Sequence, residues 1–127
     1  MNYYVGVDLA DRKHDVCILD SSGVILHEFV VSHSPEGLDQ LLLEIRKFST
    51  DVHNVFISAE TSKHLFIQYL HALGYTVYSI NPKSVDRARD RFSPAGAKDD
   101  SRDAQVLADL IRTDRHQYRP VRMDSDE

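Results

Sequence analysis

Asp8, Glu60, Asp100 and Asp103 are the residues of this 127-residue chain whose type and position suggest chemistry. Asp8 lies near the end of the run Tyr3-Tyr4-Val5-Gly6-Val7-Asp8-Leu9-Ala10, and Glu60 closes a second apolar run from Val52 to Ala59. Strands apolar on both faces belong in the middle of a sheet covered on both sides. A carboxylate at the exit of such a strand is costly to bury unless a metal, a cation or a hydroxyl donor pairs with it. The C-terminal edge of an open α/β sheet is also where ligands bind. Asp103 precedes Val106, Leu107, Leu110 and Ile111 by three, four, seven and eight positions, so it shares the apolar face of a helix and points to the sheet. Asp100 stands one turn earlier, alongside. Converging carboxylates repel unless a proton or a cation lies between them. Four of them without a Cys/His ligand set suit a hard cation, Mg²⁺ or Mn²⁺, rather than zinc. Each acid also has an ordinary explanation: Asp100 and Asp103 as cap and first-turn acids, Asp8 as a turn residue, Glu60 as a first-turn acid. Those explanations do not account for all four falling where one fold would gather them.

The elements that must position these acids follow from periodicity and turn chemistry. Residues 3–9, His14 to Asp20 and Val24 to Val31 read as three antiparallel strands, the last two joined by the hairpin turn Ser21-Ser22-Gly23. Ser34 caps a helix with Pro35 at its first position, and Leu38, Leu41, Leu42, Ile45 and Phe48 form the buried stripe. Val52 to Ala59 is the fourth strand. A second helix, capped by Thr61 or Ser62, buries Leu65, Phe66, Tyr69, Leu70 and Leu73 and stops at Gly74. Tyr75 to Ile80 is a fifth strand, and Asn81-Pro82 starts a helix through about Arg91. The connector 92–98 interrupts regular structure, and Asp99-Asp100-Ser101 leads into a last helix through about Thr113. The order β-β-β-α-β-α-β-α-α predicts a mixed five-stranded sheet with helices on both faces, the ribonuclease H-like layout. In that layout the first and fourth strands are parallel neighbours. One domain is expected over residues 1–117, followed by a frayed tail, 118–127.

Composition excludes several classes. An apolar fraction of 42% and a charged fraction of 28% are those of an ordinary soluble globule. No run is long enough to cross a bilayer, and no targeting segment is visible. The single Cys17 can form no internal disulfide and fits a small core residue in a reducing cytoplasm. There is no phosphate-cradling glycine loop and no Gly-x-Ser-x-Gly nucleophile. The seven histidines show no ligand spacing; His64 and His71 can share a helix face, but surface or core roles explain them. The net charge of −5 is unevenly spread: residues 1–80 hold 5 Lys/Arg against 10 Asp/Glu, and residues 81–127 hold 10 of each. Lys83, Arg87, Arg89 and Arg91, with Lys98 and Arg102, form a basic stripe compatible with phosphate contact, although a solvated helix face explains the same charges.

Val5-Gly6-Val7-Asp8-Leu9-Ala10, Glu60 after the fourth strand, the Asn81-Pro82 step after Val77 to Ile80, and Lys98-Asp99-Asp100-Ser101-Arg102-Asp103-Ala104 together resemble the DEDD-type insertion-sequence transposases. This is the Piv/MooV-related, insertion-sequence one-ten family, and the resemblance covers nearly the whole chain. Lys-x-Asp-x-x-Asp-Ala is its most specific part. The resemblance implies a RuvC-like N-terminal catalytic domain in which Asp8, Glu60, Asp100 and Asp103 are catalytic and hold Mg²⁺ or Mn²⁺, with Asp8 as the bridging ligand. Asp99 stands where the family usually has a small polar residue such as Thr. That leaves Asp99 and Asp100 as alternatives for the third acid, and Asp100, one turn before Asp103, is preferred. The implied activity is metal-dependent phosphodiester cleavage and strand transfer in DNA transposition. The implied partners are DNA, a guide RNA and, in the full-length family, further copies of the chain. The implied setting is the prokaryotic cytoplasm at the nucleoid, without a membrane. The family's serine-bearing C-terminal domain is expected to be missing here. Three rivals share parts of the pattern: a RuvC-like nuclease or Holliday-junction resolvase, an actin-like or sugar-kinase half-domain, and an inactive nucleic-acid-binding module of a decayed mobile element. The kinase class expects Gly and Thr after the first Asp, where this chain has Leu9-Ala10.

Overall fold

The computed structural model describes residues 1–61, 63–92 and 101–121. Its strands are β1 (Tyr3–Asp8), β2 (Lys13–Leu19), β3 (Ile25–Ser32), β4 (Val55–Ala59) and β5 (Thr76–Ser79), and its helices are α1 (Pro35–Arg46), α2 (Leu65–Ala72), α3 (Pro82–Phe92) and α4 (Ser101–Asp114). The sheet order is β3-β2-β1-β4-β5. β1, β2 and β3 pair antiparallel, whereas β4 runs parallel to β1 and β5 parallel to β4. The mixed sheet and element order expected from periodicity are therefore present.

Strand alternation sorts the core into two layers. Val5, Val7, Val16, Ile18, Ile57, Ala59 and Val77 pack with Leu38, Leu41 and Ile45 of α1 and with Phe66, Ile67 and Leu70 of α2. On the other side Tyr4, Cys17, Leu19 and Tyr78 pack with Val85 and Ala88 of α3 and with the α4 stripe from Ala104 to Ile111. Each fully buried Leu or Ile contributes about 1.5–3 kcal/mol relative to exposure, so the central strands can carry apolar residues on both faces only because both are covered. Cys17 is wholly buried, as expected of a core residue, and burial pushes its thiol up to about 12.

Local chemistry sets the element ends. The Ser34 hydroxyl accepts from the Gly37 N–H at 3.0 Å, with Pro35 at the first helical position of α1. Val52–Asn54 forms a single 3₁₀ turn, capped by an Asp51 carboxylate that accepts from the His53 N–H at 2.9 Å, so β4 starts at Val55 rather than Val52. The expected Thr61 or Ser62 cap of α2 is overturned for Thr61: its hydroxyl accepts from Lys63 N–H instead, and the cap is His64, whose Nδ1 accepts from the Phe66 N–H at 3.2 Å. Ser62 lies outside the described residues. Gly74, at φ 103°, takes the left-handed conformation that ends α2. Beyond α4, Pro120 bridges to Tyr78 and the Val121 N–H donates to the Val77 carbonyl at 2.7 Å. The rest of the expected tail, 122–127, and the connector 93–100 lie outside the described residues.

Candidate functional site

Asp8 is the last residue of β1 and Glu60 follows the last residue of β4. The parallel register sets Gly6 beside Ser58, and two residues further along the same ladder come Asp8 and Glu60. Gly6 and Ser58 both face α4. A Cβ on Gly6 would sit 1.9 Å from the Ala104 carbonyl oxygen, and the Ser58 hydroxyl donates to the Leu107 carbonyl at 2.7 Å. Period-two alternation then directs Asp8 and Glu60 to the α4 side. Asp103 precedes Ala104 in the first turn of α4, so the close approach of Gly6 to Ala104 fixes where that carboxylate enters. Of the four acids singled out by sequence, Asp8, Glu60 and Asp103 thus come to one edge of the sheet on one face. Asp100 lies outside the described residues, as does Asp99.

The electrostatics at this edge are strained. Burial, and then the negative charge of Asp103, raise the pKa of Glu60; Asp86 acts in the same direction and Arg89 against it. The Arg89 guanidinium donates to both oxygens of Asp103, Nε to Oδ1 at 2.7 Å and Nη2 to Oδ2 at 2.8 Å, and its remaining arm reaches Asp86. Those bonds to Asp103 hold the guanidinium above its ordinary range. Asp15 adds a further carboxylate. It pairs with Asp8 across the antiparallel ladder and so shares its face. Periodicity gave no sign of it, because an acid in a half-buried strand reads as an ordinary outward residue. The donor set is all oxygen with an excess of negative charge, which fits a hard divalent cation.

The basic stripe divides in the structure. Lys83 and Arg87, four residues apart on α3, are exposed, while Arg89 is committed to Asp86 and Asp103. Arg91 and Arg102 belong to α3 and α4 with side chains outside the described part, and Lys98 lies outside the described residues.

A group not legible in the sequence sits on the opposite face. His14 of β2, His33 after β3 and His64 before α2 bring one ring nitrogen each within 4.8 Å of one another, the only such group of three among the described residues. Their hydrogen bonds argue against a metal. His14 Nδ1 accepts from the Ala10 N–H at 3.0 Å and His64 Nδ1 from the Phe66 N–H, which places the proton of each neutral ring on Nε2. His14 Nε2 then donates to His33 Nδ1 at 3.1 Å. Metal-binding histidines show the reverse arrangement, donating their second N–H outward.

A five-stranded mixed sheet with acids at the C-terminal ends of its first and fourth strands, and another acid on the closing helix, defines a ribonuclease H-like domain of the RuvC kind. Thermus thermophilus RuvC in complex with a Holliday junction substrate superposes with a TM-score of 0.63 at 15% identity, covering 95% of this chain and all of that one. A second Thermus thermophilus RuvC structure gives 0.61 at 15% identity, covering 94% and 99%. The DEDD transposase family named for IS110, described as Transposase, matches residues 5–127, and the chain belongs to it. Similar relatives named as transposases include y4uE of Sinorhizobium fredii (strain NBRC 101917 / NGR234), 40% identical over 118 residues. Another is the mini-circle IS117 protein of Streptomyces coelicolor (strain ATCC BAA-471 / A3(2) / M145), 34% identical over 127 residues. These matches cover 91% and 99% of this chain but 33% and 31% of the relatives, so the chain spans about a third of their length. Family and fold together imply divalent-metal dependence in general terms. Among the described residues no helix is long and apolar enough to cross a membrane.

Proposed function

We propose that this chain is the catalytic domain of a DNA transposase, in which Asp8, Glu60 and Asp103, with Asp100, hold divalent cations, Mg²⁺ or Mn²⁺, for phosphodiester cleavage and strand transfer. The observation that carries this is the parallel β1–β4 pairing beneath α4, which sets three of the acids at one sheet edge. Bound cations supply charge neutralisation at the scissile phosphate and orient attacking and leaving oxygens. The chain's own part is positional. Asp8, on the central strand, would hold the cations together with Glu60 from the neighbouring strand and Asp103 from the helix side, with Asp100 as the fourth ligand. Lys83 and Arg87, exposed on α3, are offered to DNA phosphates, with Arg91, Lys98 and Arg102 as further candidates. A guide RNA, further copies of the chain and a nucleoid setting belong to the same proposal for the longer family proteins.

The deciding experiment is metal-dependent melting. Millimolar Mg²⁺ or Mn²⁺ is expected to raise the melting temperature of the 127-residue chain, and Asp8→Ala to abolish the rise. An equal rise in Asp8→Ala overturns the assignment. The RuvC likeness keeps a resolvase reading in view; cleavage of four-way junctions by this chain alone, without joined products, would favour it.

A further inference from the structure

We infer that Arg89 is a built-in counter-ion that holds Asp103 closed until a divalent cation displaces it. The inference rests on the function proposed above, in which Asp103 is one of the metal-holding acids. The guanidinium takes both oxygens of that carboxylate at once, at 2.7 and 2.8 Å. This two-pronged geometry matches a carboxylate better than an ammonium can, and it engages the same oxygens a cation would need. Arg89 is also braced from behind: its remaining arm reaches Asp86, one turn earlier on α3. The lock therefore ties α3 to α4 rather than resting on one freely swinging side chain.

The charges around it explain why a lock is needed. Asp8, Asp15, Glu60 and Asp103 share one edge and one face, and Arg89 is the positive charge acting on Glu60 against Asp86 and Asp103. Without a metal, this edge carries carboxylates whose mutual repulsion opposes folding. A single guanidinium relieves part of that repulsion. A divalent ion relieves more, because it brings two charges and can lie between several carboxylates at once. The Arg89 side chain is 44% exposed and that of Asp103 27%, so the displaced guanidinium has open solvent to move into. An ion pair of this exposure is weak enough to be exchanged and strong enough to lower the apparent metal affinity. The rival is a permanent strut that stays in place when metal binds.

Mn²⁺ calorimetry on the 127-residue chain and its variants, with NMR of the arginine Nε–H groups during Mg²⁺ titration, separates the two. Arg89→Gln is expected to tighten Mn²⁺ binding about threefold to tenfold, and Arg87→Gln, which removes the same charge from the outer face of α3, less than about twofold. Arg89→Lys keeps the charge, loses the fork and falls between, and it serves if Arg89→Gln does not fold. In the wild-type chain the Arg89 Nε–H signal is expected to shift and exchange faster at saturating Mg²⁺. Unchanged or weaker Mn²⁺ binding in Arg89→Gln, tightening no greater than in Arg87→Gln, or an unmoved Nε–H signal overturns the lock while leaving the acid site standing. Wild-type Mn²⁺ binding that Asp8→Ala fails to remove brings down the acid site and the lock together.

Discussion

Glu60 carries a charge that the folded chain resists. Its carboxyl is raised by burial and by the nearby Asp103, so folding disfavours the ionised form relative to an unfolded Glu. A raised carboxylate pKa means that stability is lost as pH rises from the unfolded value through the folded one. Glu60→Gln is therefore expected to raise the metal-free melting temperature at pH 7, by roughly 1–3 °C, while removing part of the rise caused by Mg²⁺. A lower metal-free melting temperature in Glu60→Gln contradicts this. Individual acids were legible in the sequence where they interrupted an apolar run or shared a helix stripe, as Asp8 and Asp103 do. Asp15 was not, since its relation to Asp8 exists only through the β1–β2 register.

Helices and strands place those residues, and Gly6 is where the placement is tightest. A Cβ there would lie 1.9 Å from the Ala104 carbonyl oxygen and 2.7 Å from the Ala108 nitrogen, both backbone atoms of α4 that cannot swing aside. Gly6→Ala is expected to lift α4 from β1 at a cost of about 2–4 kcal/mol in urea unfolding, and to weaken Mn²⁺ binding through Asp103 rather than Asp8. Wild-type stability in that variant would show that the helix contact is not constraining. Strand order was legible because alternation and turn residues agreed along β1 to β3. The cap of α2 was not, because a ring nitrogen on the residue immediately before the helix replaced the hydroxyls that usually serve. The histidine group was hidden for a related reason: His14, His33 and His64 meet only after β2, β3 and α2 have packed. It has a pH consequence. His14 is fully buried, and burial, followed by His64 and His33, pushes its pKa down to about 4. An unfolded histidine titrates near 6.5, so the unfolded chain takes the proton first, and stability present above that pH drains as pH falls towards 4. The loss is on the order of 3 kcal/mol at most. Melting curves between pH 7 and 4.5 should show this slope, and His14→Gln should flatten it; an equal slope in both would assign the loss to other groups.

Charge is divided across the chain as a nucleic-acid enzyme would need, despite its net −5. The acids that would hold metal lie at the β1–β4 edge, and the exposed cations Lys83 and Arg87 stand on α3, the helix whose Arg89 reaches that edge. A phosphate backbone crossing α3 towards the acids would meet positive charge first and then the metal-neutralised centre. Binding of this kind is governed by counter-ion release, so each phosphate contact contributes about 0.9 to the slope of log affinity against log salt. The double variant Lys83→Gln/Arg87→Gln is expected to weaken binding to duplexes of unrelated sequence by similar factors and to reduce that slope by about two. Metal-dependent melting should survive, because neither residue touches the acid edge. A slope that does not change would remove the outer face of α3 from the interface and move the contact to the cations beyond it, Lys98 and Arg102. Loss of metal-dependent melting in the same variant would instead mean that α3 positions the acids, and that its charges serve folding before they serve DNA.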